Sequence, residues 1–263
     1  MTETAAPAPL PALDRPRRFH FDWILPALFR PRATFARIAE HAGDAWLTPL
    51  LVITVAELAR VAAVGTVRQA QAAMGQVQMP PDFQYWPPQM QEQFMQAQQA
   101  TQGPIFIYAL PAFIAVIGVW LGWVLLAALL HLALTMLGGR SPTRNTLNVI
   151  AWASLPFAVR SLVLVGFAMS TQSLVNGPGL SGFAPTDGTP WSAFLREFLI
   201  YVDLYLIWYL LLAILGARLA SGLPAGKVIG GVLATTLIVF ALQALVGFGL
   251  LQFSGLSILR TLY

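Results

Sequence analysis

One carboxylate, Asp203, stands inside the otherwise apolar run FLIYVDLYLIWYLLLAIL from Phe198 to Leu215. A charge at the centre of a bilayer costs roughly 2.5 to 3.5 kcal/mol on insertion scales, so it persists only where a partner or a water-filled cavity compensates it. The other strongly ionisable residues well inside apolar runs are Glu57 and Arg60 in TPLLVITVAELARVAAVG and Arg160 in VIAWASLPFAVRSLVLVGFAM; Arg196 and Glu197 lie just upstream of Asp203. Two acids and two bases balance, so Glu57, Arg60, Arg160 and Asp203 can neutralise one another in a single intramembrane polar cluster. Such a cluster either fixes helix register as a buried salt-bridge network or carries protons or ions. The alternative is that each long side chain snorkels to the interface unpaired.

Other residues offer less chemistry. Met74, Met79, Met90 and Met95 carry soft thioethers of the kind that bind Cu(I). The members of each pair are five apart, which separates them by about 140° on a helix, so they read as loop packing and no metal is expected. His131 fits either a proton relay or a side chain hydrogen-bonded near the interface. There is no Gly-x-Ser-x-Gly elbow and no His-Glu-x-x-His, and three scattered histidines form no triad. Gly222 to Lys227 imitates a phosphate-binding loop, but its glycine spacing is one residue short and Val228 stands where Ser or Thr would hold magnesium. The chain contains no cysteine, which excludes disulfides and thiol catalysis. A non-enzymatic protein without cofactor is expected.

The elements that must position these residues are membrane spans. Of the 263 residues, 57% are hydrophobic and only 10% charged, against about 25% charged in a soluble domain. The net charge of +4 does not mark a nucleic-acid binder, because the arginines gather at the ends of apolar runs and form no basic groove. Residues 1–18, rich in proline and ending in Arg15, Arg17 and Arg18, read as a disordered cytoplasmic tail. Residues 19–45 form an interfacial segment. Phe19 to Phe29 is too short to span and Pro26 interrupts it. A helix can begin at Pro31, placing Phe35, Ile38 and Ala42 opposite Arg32, Arg37 and Glu40. That helix either lies in the membrane interface or packs on the protein's own base.

Residues 46–263 then supply five spans, at about 46–66, 112–137, 147–170, 193–217 and 227–253, each near the ~20 residues a bilayer needs. The fold class is all-α, a polytopic five-transmembrane-helix bundle with an N-terminal interfacial amphipathic helix. Pro111 divides a lead-in segment from the second span, and Gly118 with Gly122 forms a GxxxG face for close helix contact. The glutamine- and methionine-rich stretch 67–103 is an extramembrane loop. Basic residues before span one, after span two and after span four outnumber those on the other side, so the N-terminus is cytoplasmic and the C-terminus outside. Counted from the outer helix ends, Glu57, Arg160 and Asp203 all lie about 10 residues in.

Several short motifs share an order and a placement at helix ends. They are PRATFARIAEH with Trp46 and Pro49, Leu137-Gly138-Gly139 followed by Arg140 to Asn145, Ala153-Ser154-Leu155-Pro156, DLYLIW from Asp203, and GARLASGLPAGK from Gly216. Together, over about residues 28 to 245, the chain resembles the bacterial branch of the Yip1 family. The resemblance implies a five-helix domain with a cytosolic N-terminus in the cell membrane, whose partners are the lipid bilayer and other membrane proteins or a second copy. Eukaryotic members of that family look like adaptors for small GTPases of the Rab type. Their Asp-Leu-Tyr-Gly-Pro type motif has no counterpart between Asp22 and Trp46 here, so a GTPase partner does not carry over. A small transporter or channel using the polar cluster is the alternative.

Overall fold

The computed structural model describes residues 19–41, 43–74, 83–185 and 187–253. The expectations for the tail 1–18, for Ala42 and Met79 and for residues beyond 253 lie outside these. The described helices are α1 (Ile24–Phe29), α2 (Pro31–Glu40), α3 (Leu47–Ala73), α4 (Pro88–Thr101), α5 (Leu110–Met136), α6 (Thr143–Ala153), α7 (Leu155–Thr171), α8 (Pro190–Leu199), α9 (Leu204–Ser221) and α10 (Ala225–Phe253). Among the described residues, five runs are long and apolar enough to cross a membrane: Leu47–Ala73, Ile105–Met136, Thr143–Thr171, Leu204–Ser221 and Ala225–Gly249. The chain is a multi-pass, all-helical membrane protein.

Three spans differ in form from the sequence expectation. Hydropathy marks where a helix leaves the membrane, and α3 continues past Thr66 to Ala73 because Arg, Gln and Ala are strong helix formers whatever the solvent. Pro111 does not divide the second run. It falls in the first turn of α5, directly after a π-helical turn over Ile105–Ala109, so the run changes winding at the proline without ending there. The fourth span is α9 alone, Leu204–Ser221: α8 is a separate helix ahead of it, and Asp203 is the N-cap of α9 instead of a mid-helix residue.

The face from which α3 starts is called near, the opposite one far. At the near face α2 packs between α6 and α9, with Phe35 and Ile38 fully buried. Phe35 fits because residue 216 is glycine: a Cβ there would come within 2.6 Å of Phe35 Cδ1 and 2.7 Å of Val149 Cγ1. The apolar face of α2 that the sequence offers to lipid is therefore taken by protein, since two neighbouring helices present a groove that matches it.

Three side chains of α6 tie the end of α2 and the chain leading to α3 to the bundle. Asn148 accepts from Ala45 N at 3.0 Å and donates to Gly43 O at 3.1 Å, Trp152 Nε1 donates to Ala45 O at 3.0 Å, and Asn145 Nδ2 donates to Ala39 O at 3.2 Å. Asn148 and Trp152 are fully buried. At the far face the chain after α7 folds back over the α8–α9 break. Leu180 N donates to Leu199 O and Val202 O, both at 3.0 Å. Gly179, at φ +63°, brings its backbone where a Cβ would stand 2.7 Å from Leu199 O and Ile200 O. Carbonyls freed where a helix breaks need donors, and here one loop amide is shared between two of them.

Candidate functional site

Glu57 and Arg60 sit one turn apart on α3, and α7 is the helix that packs most extensively on α3. Arg60 Nη2 lies 2.8 Å and its Nε 2.9 Å from Glu57 Oε2. The other oxygen, Oε1, accepts from Ser161 Oγ of α7. That hydroxyl also lies 3.0 Å from Phe157 O, but its one proton serves a single acceptor at a time. Ser161 is fully buried. Arg60 keeps 36% of its side chain exposed while Glu57 keeps 12%, so the carboxylate is the enclosed member and the guanidinium its link to the surroundings.

Arg160 precedes Ser161 and points the other way, toward α9. Its Nη1 lies 3.2 Å from Asp203 Oδ2, with side-chain exposures of 27% and 15%. Asp203 Oδ1 accepts from Leu206 N at 2.9 Å, so this carboxylate serves both as ion-pair partner and as helix cap. A carboxylate is well placed there, because the N-terminus of a helix carries partial positive charge. The Arg160 guanidinium also lies over the Phe157 ring at 5.6 Å, and Phe157 stacks on the buried Tyr209.

The four residues are thus two neutral pairs joined through neighbours on α7, and the crossed pairings Arg160 with Glu57 and Asp203 with Arg60 are not formed. Local spacing decides the first pair, since residues three apart share a helix face. The second pair depends on the helix break. With the span split at residues 200–203, Asp203 begins α9, Arg160 lies five residues after Leu155 at the start of α7, and Glu57 lies ten after Leu47 in α3. Adjacent residues of α7, Arg160 and Ser161, meet Asp203 and Glu57 respectively, so the two pairs lie side by side in the bundle.

Other residues singled out by type have plainer surroundings. A Cβ on Gly118 would meet nothing within 4 Å, and one on Gly122 only Gln243 Nε2 at 3.6 Å, so the GxxxG face makes no close helix crossing. Tight approaches are instead at Gly216, described above, and at Gly65, which faces the Tyr108 ring. Met74, Met90 and Met95 are exposed. His131 lies 3.0 Å from Thr143 Oγ1 and 3.4 Å from Thr146 Oγ1. Gly222 closes α9 in a left-handed conformation, and Lys227 Nζ donates to Leu137 O at 2.9 Å, stabilising the C-terminal end of α5.

Outside the spans, two carboxyls are shifted. Hydrogen bonds from Ser192 and Thr189 hold Asp187 below the usual carboxylate range. Burial raises Glu197 of α8, against the opposing pull of Arg196; its Oε2 lies 2.8 Å from where a Cβ of Gly247 on α10 would stand. Sequence reasoning missed Ser161 and the Asn145, Asn148 and Trp152 set. The second had a signal, because positions i, i+3 and i+7 share one helix face.

A family model, the Yip1 domain, matches residues 27–248. No curated protein and no solved structure matches the chain.

Proposed function

The chain belongs to the Yip1 domain family, and from that premise we propose that it is a non-catalytic protein that organises or adapts other membrane components. The observation that carries this reading is that each intramembrane carboxylate is already committed. Glu57 holds Arg60 and Ser161, and Asp203 holds Arg160 and the Leu206 amide. A side chain so engaged locks two helices together and is poorly placed as a general base. Its partners are other membrane proteins or a second copy, in a cell membrane, with the N-terminus on the cytoplasmic side. The near face supports that orientation, since it holds Arg30, Arg32, Arg37, Arg140, Arg144, Arg218 and Lys227 against Asp22, Glu40 and Asp44 among the described residues.

Crosslinking in native membranes followed by purification tests this reading: defined membrane proteins, or a crosslinked second copy, should be recovered. The transporter alternative draws on the α8–α9 break, since discontinuous helices line many transport sites. Purified protein in liposomes should show no proton or coupled solute flux. A flux abolished by Asp203→Asn in a folded protein would replace the adaptor reading with transport.

A further inference from the structure

We infer that the segment Phe21 to Phe29 is a lipid-immersed anchor whose apolar outer stripe sits in an anionic bilayer surface. The inference does not depend on the adaptor reading. Along this segment Trp23 and Ala27 are buried in the bundle, and Ile24 and Leu28 are half-buried against it. The outer side carries Phe21, Leu25 and Phe29, spaced four apart and 59%, 66% and 72% exposed. Asp22, exposed at the start of the segment, is its one charge; from Trp23 to Phe29 the segment is apolar on both its inner and outer sides and needs two apolar surroundings, of which protein supplies only one.

Continuity identifies the other. The Phe29 ring lies 6.5 Å from that of Trp208 on α9, and the spanning face of α9 beside it exposes Leu204, Ile207 and Leu211. The stripe therefore extends a surface that already meets acyl chains. Charge identifies the kind of lipid. Arg30 and Arg32 follow the stripe directly and both are exposed. The described near face holds seven basic residues against three acidic ones, and cationic side chains beside an immersed apolar face favour anionic headgroups. This moves the interfacial element from α2, whose apolar face is filled by protein, to α1 and the turn before it.

Because the chain has no cysteine, a single Leu25→Cys substitution places one environment-sensitive fluorophore on the stripe. The labelled full-length protein is reconstituted in vesicles containing phosphatidylglycerol and phosphatidylcholine, with acyl chains brominated on one lipid or the other at equal mole fraction. Bromine should quench the label strongly, aqueous iodide weakly. Brominated phosphatidylglycerol should quench at least twofold more than brominated phosphatidylcholine, and Arg30→Gln with Arg32→Gln should erase that difference. A Glu40→Cys label, on the exposed side of α2, should show the opposite preference for iodide. Iodide quenching at position 25 would overturn the anchor, as would protection from both iodide and bromine, which would mean that another chain covers the stripe. Equal quenching by the two lipids in the parent protein would overturn the anionic preference.

Discussion

At the near face Asn145, Asn148 and Trp152 hold the end of α2 and the chain leading to α3 through neutral hydrogen bonds, whereas between α3, α7 and α9 the polar groups are charged and paired. The neutral latch satisfies both ends of the fully buried Asn148 amide. The ion pairs keep part of their surface open, which lessens the cost of removing charge from water. Full burial thus goes with amides, and partial burial with charges. The difference also separates what is local from what is not, because Glu57 and Arg60 would meet on an isolated helix and none of the other pairings would.

The largest effect expected is from Asp203→Leu. Stranding Arg160 should cost about 3 to 5 kcal/mol, and losing the cap of α9 roughly 0.5 to 2 kcal/mol more. Denaturant unfolding of detergent-solubilised protein measures both. Asp203→Asn retains a capping oxygen and should lose only the first part, and adding Arg160→Leu to Asp203→Leu should recover most of it. Additive losses in that double-mutant cycle would dissolve the pair.

Asn148→Ala should come next, since it leaves the buried Ala45 N without a partner at about 1 to 3 kcal/mol and also frees the half-buried Gly43 O. The loss should be the same at pH 5 and pH 8, because no charge is involved. A loss that varies with pH would mean that the latch is coupled to titrating groups, and the contrast between the two regions would fail.

Glu57→Gln should cost less than Asp203→Leu, because Arg60 is the more exposed arginine of the two pairs. Arg60 reaches its surroundings and a glutamine oxygen still accepts from Ser161. A loss as large as that of Asp203→Leu would show that the local pair is as deeply committed as the long-range one.

The smallest effect should come from Glu197→Gln. The carboxyl of Glu197 titrates above its ordinary value because of burial. Its contribution to stability is therefore complete below the unfolded carboxylate pKa and is lost as pH rises through the higher folded value. The glutamine variant should melt slightly higher than the parent at pH 7 and no higher at pH 4. The reverse order would indicate that Arg196 outweighs desolvation there.

Phe35 and Ile38 were legible as one apolar face from their spacing alone, but whether that face met lipid or protein was not. Both are equally good apolar surroundings, and only the groove between α6 and α9, with Gly216 at its floor, decides between them. Asp203 was legible as a charge that needs compensation. Its role as a cap was hidden because the break before it lies in the apolar residues Ile200 to Val202, which carry no glycine or proline to announce a turn.

By itself the sequence determined the class of the molecule. Five long apolar runs in a chain with few charges can bury their backbone polar groups only as membrane-spanning helices. It also determined the Glu57–Arg60 pair, whose three-residue spacing closes on one helix. The tertiary structure decided the rest of the polar chemistry. Arg160 reaches Asp203, Ser161 reaches Glu57 and Asn148 reaches Ala45 across separations of 43, 104 and 103 residues. No local pattern encodes such distances; they are set by which helices pack together and where α8 gives way to α9.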